Sequence, residues 1–161
     1  EAATAAEPAA RPGSGGRYVQ VTLDDFVGLL GPLGFTNREE GGQVVFAVTR
    51  QTSAGTATIK VYTSIPHAGA EATAREVGED SIKVAGVWRG PRDPKAFPLH
   101  KRLPYAARTR GWRLAVLARV AEVAALFTAA TCRKCGAPTV ERARRDGVGT
   151  FRGCCRYPHC K

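Results

Sequence analysis

The sequence predicts an α+β domain, an antiparallel sheet with helices on one face, followed by a small cysteine-rich module at the C-terminal end. Three observations carry this. Runs rich in β-branched residues follow one another at 43–49, 56–65 and 80–88, and the first two are separated by a turn-length break. Helical patterns flank these runs at 23–34 and 112–130. All five cysteines fall between 132 and 160. Strands in succession with helices at either end bury their apolar sides as a layered α+β unit.

Residues 1–16 are rich in Ala, Pro and Gly. They carry too little apolar surface to repay ordering, which predicts a disordered leader. RYVQVT, 17–22, has extended-chain formers and predicts a first strand. Thr22 is a candidate helix N-cap, with Asp25 placed for a capping box and Asp24 at the positive end of the helix dipole. Leu23, Phe26, Leu29 and Leu30 then share one helical face. Gly31-Pro32 and Gly34 end the helix, and Phe35 is expected to pack back under it. QVVFAVT, 43–49, and TATIKVYTSI, 56–65, predict an antiparallel hairpin. In the second strand Ile59, Val61 and Thr63 alternate with Lys60, Tyr62 and Ser64. Pro66 stops it, and His67 to Gly78 is ambiguous or loop. DSIKVAGVW, 80–88, predicts another strand, with Ile82, Val84 and Val87 apolar. Residues 89–111 predict a long loop or a hairpin of two edge segments. Over 112–130, Val116, Val120, Val123 and Phe127 form one apolar stripe on a helix that begins at a buried Trp112. Trp88 stays undecided. The expected domains are therefore 17–130 and 131–161.

Charge is concentrated. Residues 1–88 carry seven basic and ten acidic side chains, residues 89–113 eight basic and one acidic, and residues 132–161 eight basic and two acidic. Two cationic blocks attract polyanions through charge and counterion release, so nucleic acid is the expected partner. No run of 18 apolar residues occurs, and no polybasic amphipathic helix or lipidation motif points to a membrane.

Cysteines clustered at one end fit a metal site in a reducing, intracellular compartment better than a secreted disulfide framework. Cys132, Cys135, Cys154 and Cys160 give Cys-x2-Cys-x18-Cys-x5-Cys, with Asp146-Gly147 at the turn of an intervening hairpin. Four thiolates on two short loops suit tetrahedral Zn2+, making this a zinc ribbon. Cys155 is an alternative to Cys154, and His159 a further stand-in. So small a segment has almost no core, and the metal must supply most of its folding energy. The pattern Cys132, Cys135, Gly136, then Gly149, Phe151, Gly153, Cys154, then Tyr157, Pro158, Cys160 resembles the C-terminal zinc fingers of bacterial type IA DNA topoisomerases. The resemblance covers only about the last 30 residues, and the rest of the chain resembles no topoisomerase catalytic core. It implies single-stranded DNA binding, with Phe151 and Tyr157 stacking on bases and Arg133, Arg152 and Arg156 contacting phosphates. Lys134, Arg144 and Arg145 join these from the same basic tail. Lys101, Arg102, Arg108 and Arg110 are expected contacts in a basic bridge, and Lys60 with Tyr62 on a strand face.

No nucleophile elbow, phosphate loop or dinucleotide fingerprint occurs. Arg75, Glu76, Gly78, Glu79 and Asp80 ahead of Ile82 and Lys83 fit a charged turn entering a strand, with a metal-dependent nuclease as the enzymatic alternative. His67 and His100 are expected to be surface or loop histidines. The sequence thus points to a nucleic-acid-binding protein without a catalytic site. Single-stranded or locally opened DNA comes first, with RNA or ribonucleoprotein assembly as the alternative and a protein-docking adaptor as the bland reading. Protein partners in a nucleic-acid-processing complex are compatible with either.

Overall fold

The computed structural model describes residues 19–67, 82–100 and 103–160. The expected leader, the acidic turn around Asp80, and Lys101 and Arg102 of the basic bridge lie outside the described residues. Within them the chain is a mixed helix and strand fold with an antiparallel sheet and two helices. No helix among the described residues is long and apolar enough to cross a membrane.

The strand expected over 17–22 is reduced, in its described part, to bridging residues at Val19 and Thr22. Val19 donates its N–H to the Arg108 carbonyl at 2.8 Å, so it joins an irregular segment instead of a sheet edge. Helix α1 spans Leu23–Leu30. Its capping box is formed: the Thr22 hydroxyl accepts from the Asp25 N–H at 3.3 Å, and the Asp25 carboxylate accepts from the Thr22 N–H at 2.8 Å. Phe26 and Leu30 are buried, and Phe35 tucks under the helix end.

The sheet begins with β1 (Thr36–Glu40), continues through β2 (Gln43–Gln51) and β3 (Thr56–Pro66), and reaches β4 (Ile82–Arg89), each antiparallel to the last. The sequence reading missed β1. Its residues, TNREE, are mostly exposed at the sheet edge, so no apolar alternation marks them. Phe46, Val61 and Val84 lie opposite one another across three strands. The two-residue period puts Ala57, Ile59, Gly86 and Trp88 on that same face. Val87 pairs with Thr58 on the other face, and Trp88, undecided from the sequence, is buried at 3 % exposure. β5 (Phe97–Pro98) and β6 (Tyr105–Ala106) are the two expected edge segments, but both pair with β4 and not with each other.

Helix α2 spans Trp112–Ala129. Trp112, Val116 and Val123 are buried, and Val120 and Phe127 pack beside them. The main core joins these to Phe26, Leu30, Phe46, Val61, Ile82 and Val84. The Phe26 ring lies 5.8 Å from Phe46 and 5.1 Å from Trp112, centre to centre. α2 comes this close because β4 has Gly86 beneath it. A Cβ there would meet Val123 Cγ1 at 2.7 Å and the side chains of Leu99 and Phe127 at 3.3 Å. Gly86→Ala is therefore expected to destabilise the fold by about 1–3 kcal/mol through overpacking. Thermal melting checks this, and an unchanged midpoint would show that α2 can lift away freely.

The C-terminal hairpin pairs β7 (Thr139–Ala143) with β8 (Thr150–Cys154). The expected turn is present: Gly147 donates to the Arg144 carbonyl at 3.0 Å, and Asp146 accepts from the Val148 N–H at 2.9 Å. A second apolar cluster joins Ala57, Trp88 and Leu99 of the sheet region to Ala137 and Cys155 of the tail. The hairpin unit is thus seated on the sheet by its own small core.

Candidate functional site

Four sulfurs converge where α2 gives way to the hairpin. The Sγ atoms of Cys132, Cys135, Cys154 and Cys160 all lie within 4.8 Å of one another. Cys132 and Cys160 are 3.8 Å apart, and Cys135 and Cys154 3.5 Å. Four thiolates around a tetrahedral ion with metal–sulfur bonds near 2.3 Å stand roughly 3.8 Å apart, so this donor set fits a metal ion. The first loop is shaped for it. Gly136 takes φ +76°, a conformation that disfavours other residues, and donates to the Cys132 carbonyl at 2.9 Å. Backbone N–H groups of Cys135 and Lys134 point at the Cys132 sulfur and lower its pKa to about 7. Burial and neighbouring thiols push Cys154 and Cys160 the other way, burial leading at Cys154 and the hydrogen bond with Cys135 at Cys160. A cation among the four sulfurs would favour their thiolate forms and reverse these upward shifts.

Cys155 is not in the cluster. It is 4 % exposed, packed with Trp88 and Ala137, and burial pushes its thiol up to about 12. The structure therefore assigns the third position to Cys154, and Cys155 serves as an apolar anchor. His159 is also outside the cluster; its ring meets Phe97 edge-on at 5.4 Å.

Beside the cysteines a groove of about 770 Å³ opens between the two loops and the hairpin. Phe151 and Tyr157 line it, with 46 % and 53 % of their surfaces exposed. Its cations are Arg133, Lys134, Arg142 and Arg145, and no carboxylate lines it. A cationic channel with two accessible rings is suited to a polyanion bearing planar groups.

The remaining expected contacts are scattered. Arg152 is exposed but faces Glu141 across the hairpin and donates to the Thr139 hydroxyl and carbonyl at 3.0 and 2.9 Å. Arg144 and Arg110 are exposed and do not line the groove. Two expected contacts are enclosed or already paired. Arg108 is 2 % exposed, so its side chain belongs to the interior. Arg156 is committed elsewhere: its Nε and one terminal nitrogen donate to both oxygens of Asp93, each at 2.8 Å. That guanidinium holds the Asp93 carboxyl below the ordinary aspartate range.

Lys60 and Tyr62 are separated from the groove as well. They alternate with Ala57 and Val61, and Ala57 is on the side where the tail docks. Lys60 instead pairs with Glu40 at 2.9 Å, and half-burial raises the pKa of Tyr62. Burial lowers the pKa of the half-buried His100.

Sequence reasoning missed Arg142 and Asp93. Arg142 was findable, because a hairpin turning at Asp146-Gly147 places it opposite Phe151. Asp93 lies 63 residues from Arg156, and nothing local marks the pair. Comparison of the chain with protein-family models, curated proteins and solved structures finds no match.

Proposed function

We propose that this chain binds single-stranded or locally opened nucleic acid, DNA before RNA, in the groove beside a zinc-loaded four-cysteine centre. The observation that carries the reading is the groove itself, with two accessible rings and four cations against thiol-rich loops and no opposing carboxylate. The resemblance of the last 30 or so residues to topoisomerase zinc fingers supports DNA as the strand and Zn2+ as the ion. Zinc takes four thiolates in tetrahedral geometry and has no redox chemistry of its own, which fits a structural role. In this reading both helices cover the sheet face that also seats the tail, and the protein acts by binding, without catalysis.

The test is a fluorescence-anisotropy titration with labelled single-stranded DNA, RNA and duplex of equal length, across several salt concentrations. Phosphate contacts by Arg133, Lys134 and Arg145 predict a slope of log affinity against log salt of about −2 for a single strand. Phe151→Ala and Tyr157→Ala are each expected to weaken binding about 5- to 100-fold, the range of one lost base–ring stack. Binding that ignores salt, or ring variants that bind as the wild type does, would remove the reading. Preference for RNA over DNA would keep the groove and change the partner.

A further inference from the structure

Arg142 stands inside the groove in an arrangement that a simple phosphate contact does not need. Its guanidinium carbon lies 5.6 Å from the centre of the Tyr157 ring. One terminal nitrogen donates to the Cys154 carbonyl at 3.1 Å. Its stem crosses Gly153, where a Cβ would come within 3.4 Å of Arg142 Cδ and Nε and of the Phe151 ring. Its Nε is enclosed and has no hydrogen-bond partner among the described residues.

A cation serving only to meet phosphate keeps its donors free for the ligand. Arg142 has its planar fork engaged with a ring and with the backbone of a metal-cluster cysteine. Enclosing a donor without a partner is unfavourable, so hairpin stability alone does not account for arginine here. We propose that Arg142 is the positioning residue of the groove, holding the Tyr157 ring against its guanidinium on one face and tying that ring to the metal loop through Cys154. The other ring face is then preset for a single base, with Phe151 available to the next. Lysine has no planar fork, so it cannot stack flat on the ring and hold it in a fixed position relative to the carbonyl. The inference rests on the groove being the strand site.

The experiment compares wild type, Arg142→Lys and Arg142→Ala as full, zinc-loaded chains. Native mass spectrometry reads metal content, NMR reads the Tyr157 ring signals in the free protein, and anisotropy reads oligo-dT affinity across salt. Both variants are expected to keep the metal, to shift the Tyr157 signals, and to lose affinity roughly 5- to 20-fold, a part of one stack. The salt slope stays at the wild-type value, and lysine does not rescue. Rescue by lysine, or a slope flattened by about 0.7 in the alanine variant, would make Arg142 a phosphate contact and overturn the proposal. Unmoved ring signals overturn it too, as does loss of the metal in both variants, which would make the residue purely structural. Failure of the wild type to bind oligonucleotide would sink the strand site instead, and the ring signals of the free protein would still decide the positioning role.

Discussion

On the zinc reading proposed above, removing the ion is expected to undo two structures at once, the cysteine loops and the second core beneath them. The loops hold four sulfurs within 4.8 Å of one another. Structural zinc in comparable small modules supplies on the order of 10 kcal/mol of folding free energy. Cys135 and Cys154 also border the cluster built on Trp88, Ala137 and Cys155. Loss of the ion should therefore loosen the surroundings of Trp88, while Trp112, fully buried in the main core, stays as it was. A strong chelator is expected to shift part of the tryptophan emission to the red, erase the β7–β8 amide dispersion in NMR spectra and, on the proposed binding role, lower strand affinity at least tenfold. Cys160→Ser should reproduce this without chelator. Unchanged emission and affinity in protein shown by mass spectrometry to be metal-free would refute the coupling. Because thiols must lose their protons to bind a metal, occupancy should fall as the pH is lowered.

Asp93→Ala is expected to have the next largest effect. Asp93 is 7 % exposed, accepts two charge-assisted bonds from Arg156, and also accepts from the Gly90 N–H at 2.7 Å. Truncation leaves a guanidinium partly enclosed and without its counter-charge. Breaking a fully buried pair costs 3–5 kcal/mol, and the 21 % exposure of the Arg156 side chain reduces this to about 2 kcal/mol. For a chain of this size that is a fall of roughly 5 °C in melting temperature. The carboxyl is held below its ordinary value, so its contribution is complete above about pH 4 and fades as acid protonates it. The loss should accordingly appear in full at neutral pH. A double-mutant cycle with Arg156→Met isolates the pair, and additive losses would show that the two residues act separately. Asp93 is not one of the four clustered cysteines, so the variant is expected to keep its metal-binding set while the tail's seat on the sheet is weakened.

Much of the fold was legible locally because its signals are local. The capping box needs only Thr22 and Asp25 three residues apart. The β2–β3 hairpin shows in alternation, α2 in the spacing of Val116, Val120 and Val123, and the metal loops in the spacing of four cysteines. β1 was not legible, because an edge strand of TNREE buries too little to leave a pattern. Most of the groove was legible: Phe151, Tyr157, Arg133, Lys134 and Arg145 came from the tail's own sequence. Arg142 needed the hairpin drawn in register.

By itself, then, the sequence determined most of the elements, the C-terminal cysteine cluster and the location of the positive charge, since each depends on residues close in the chain. Only the tertiary structure decided which cations remain available. Arg156 is taken up by an aspartate 63 residues away, Arg108 is enclosed, and Lys60 pairs with Glu40 on the sheet face turned away from the tail. It likewise decided that Cys155 is an apolar anchor outside the four-sulfur cluster. Burial and long-range pairing arise from how distant segments pack, and no local pattern encodes that.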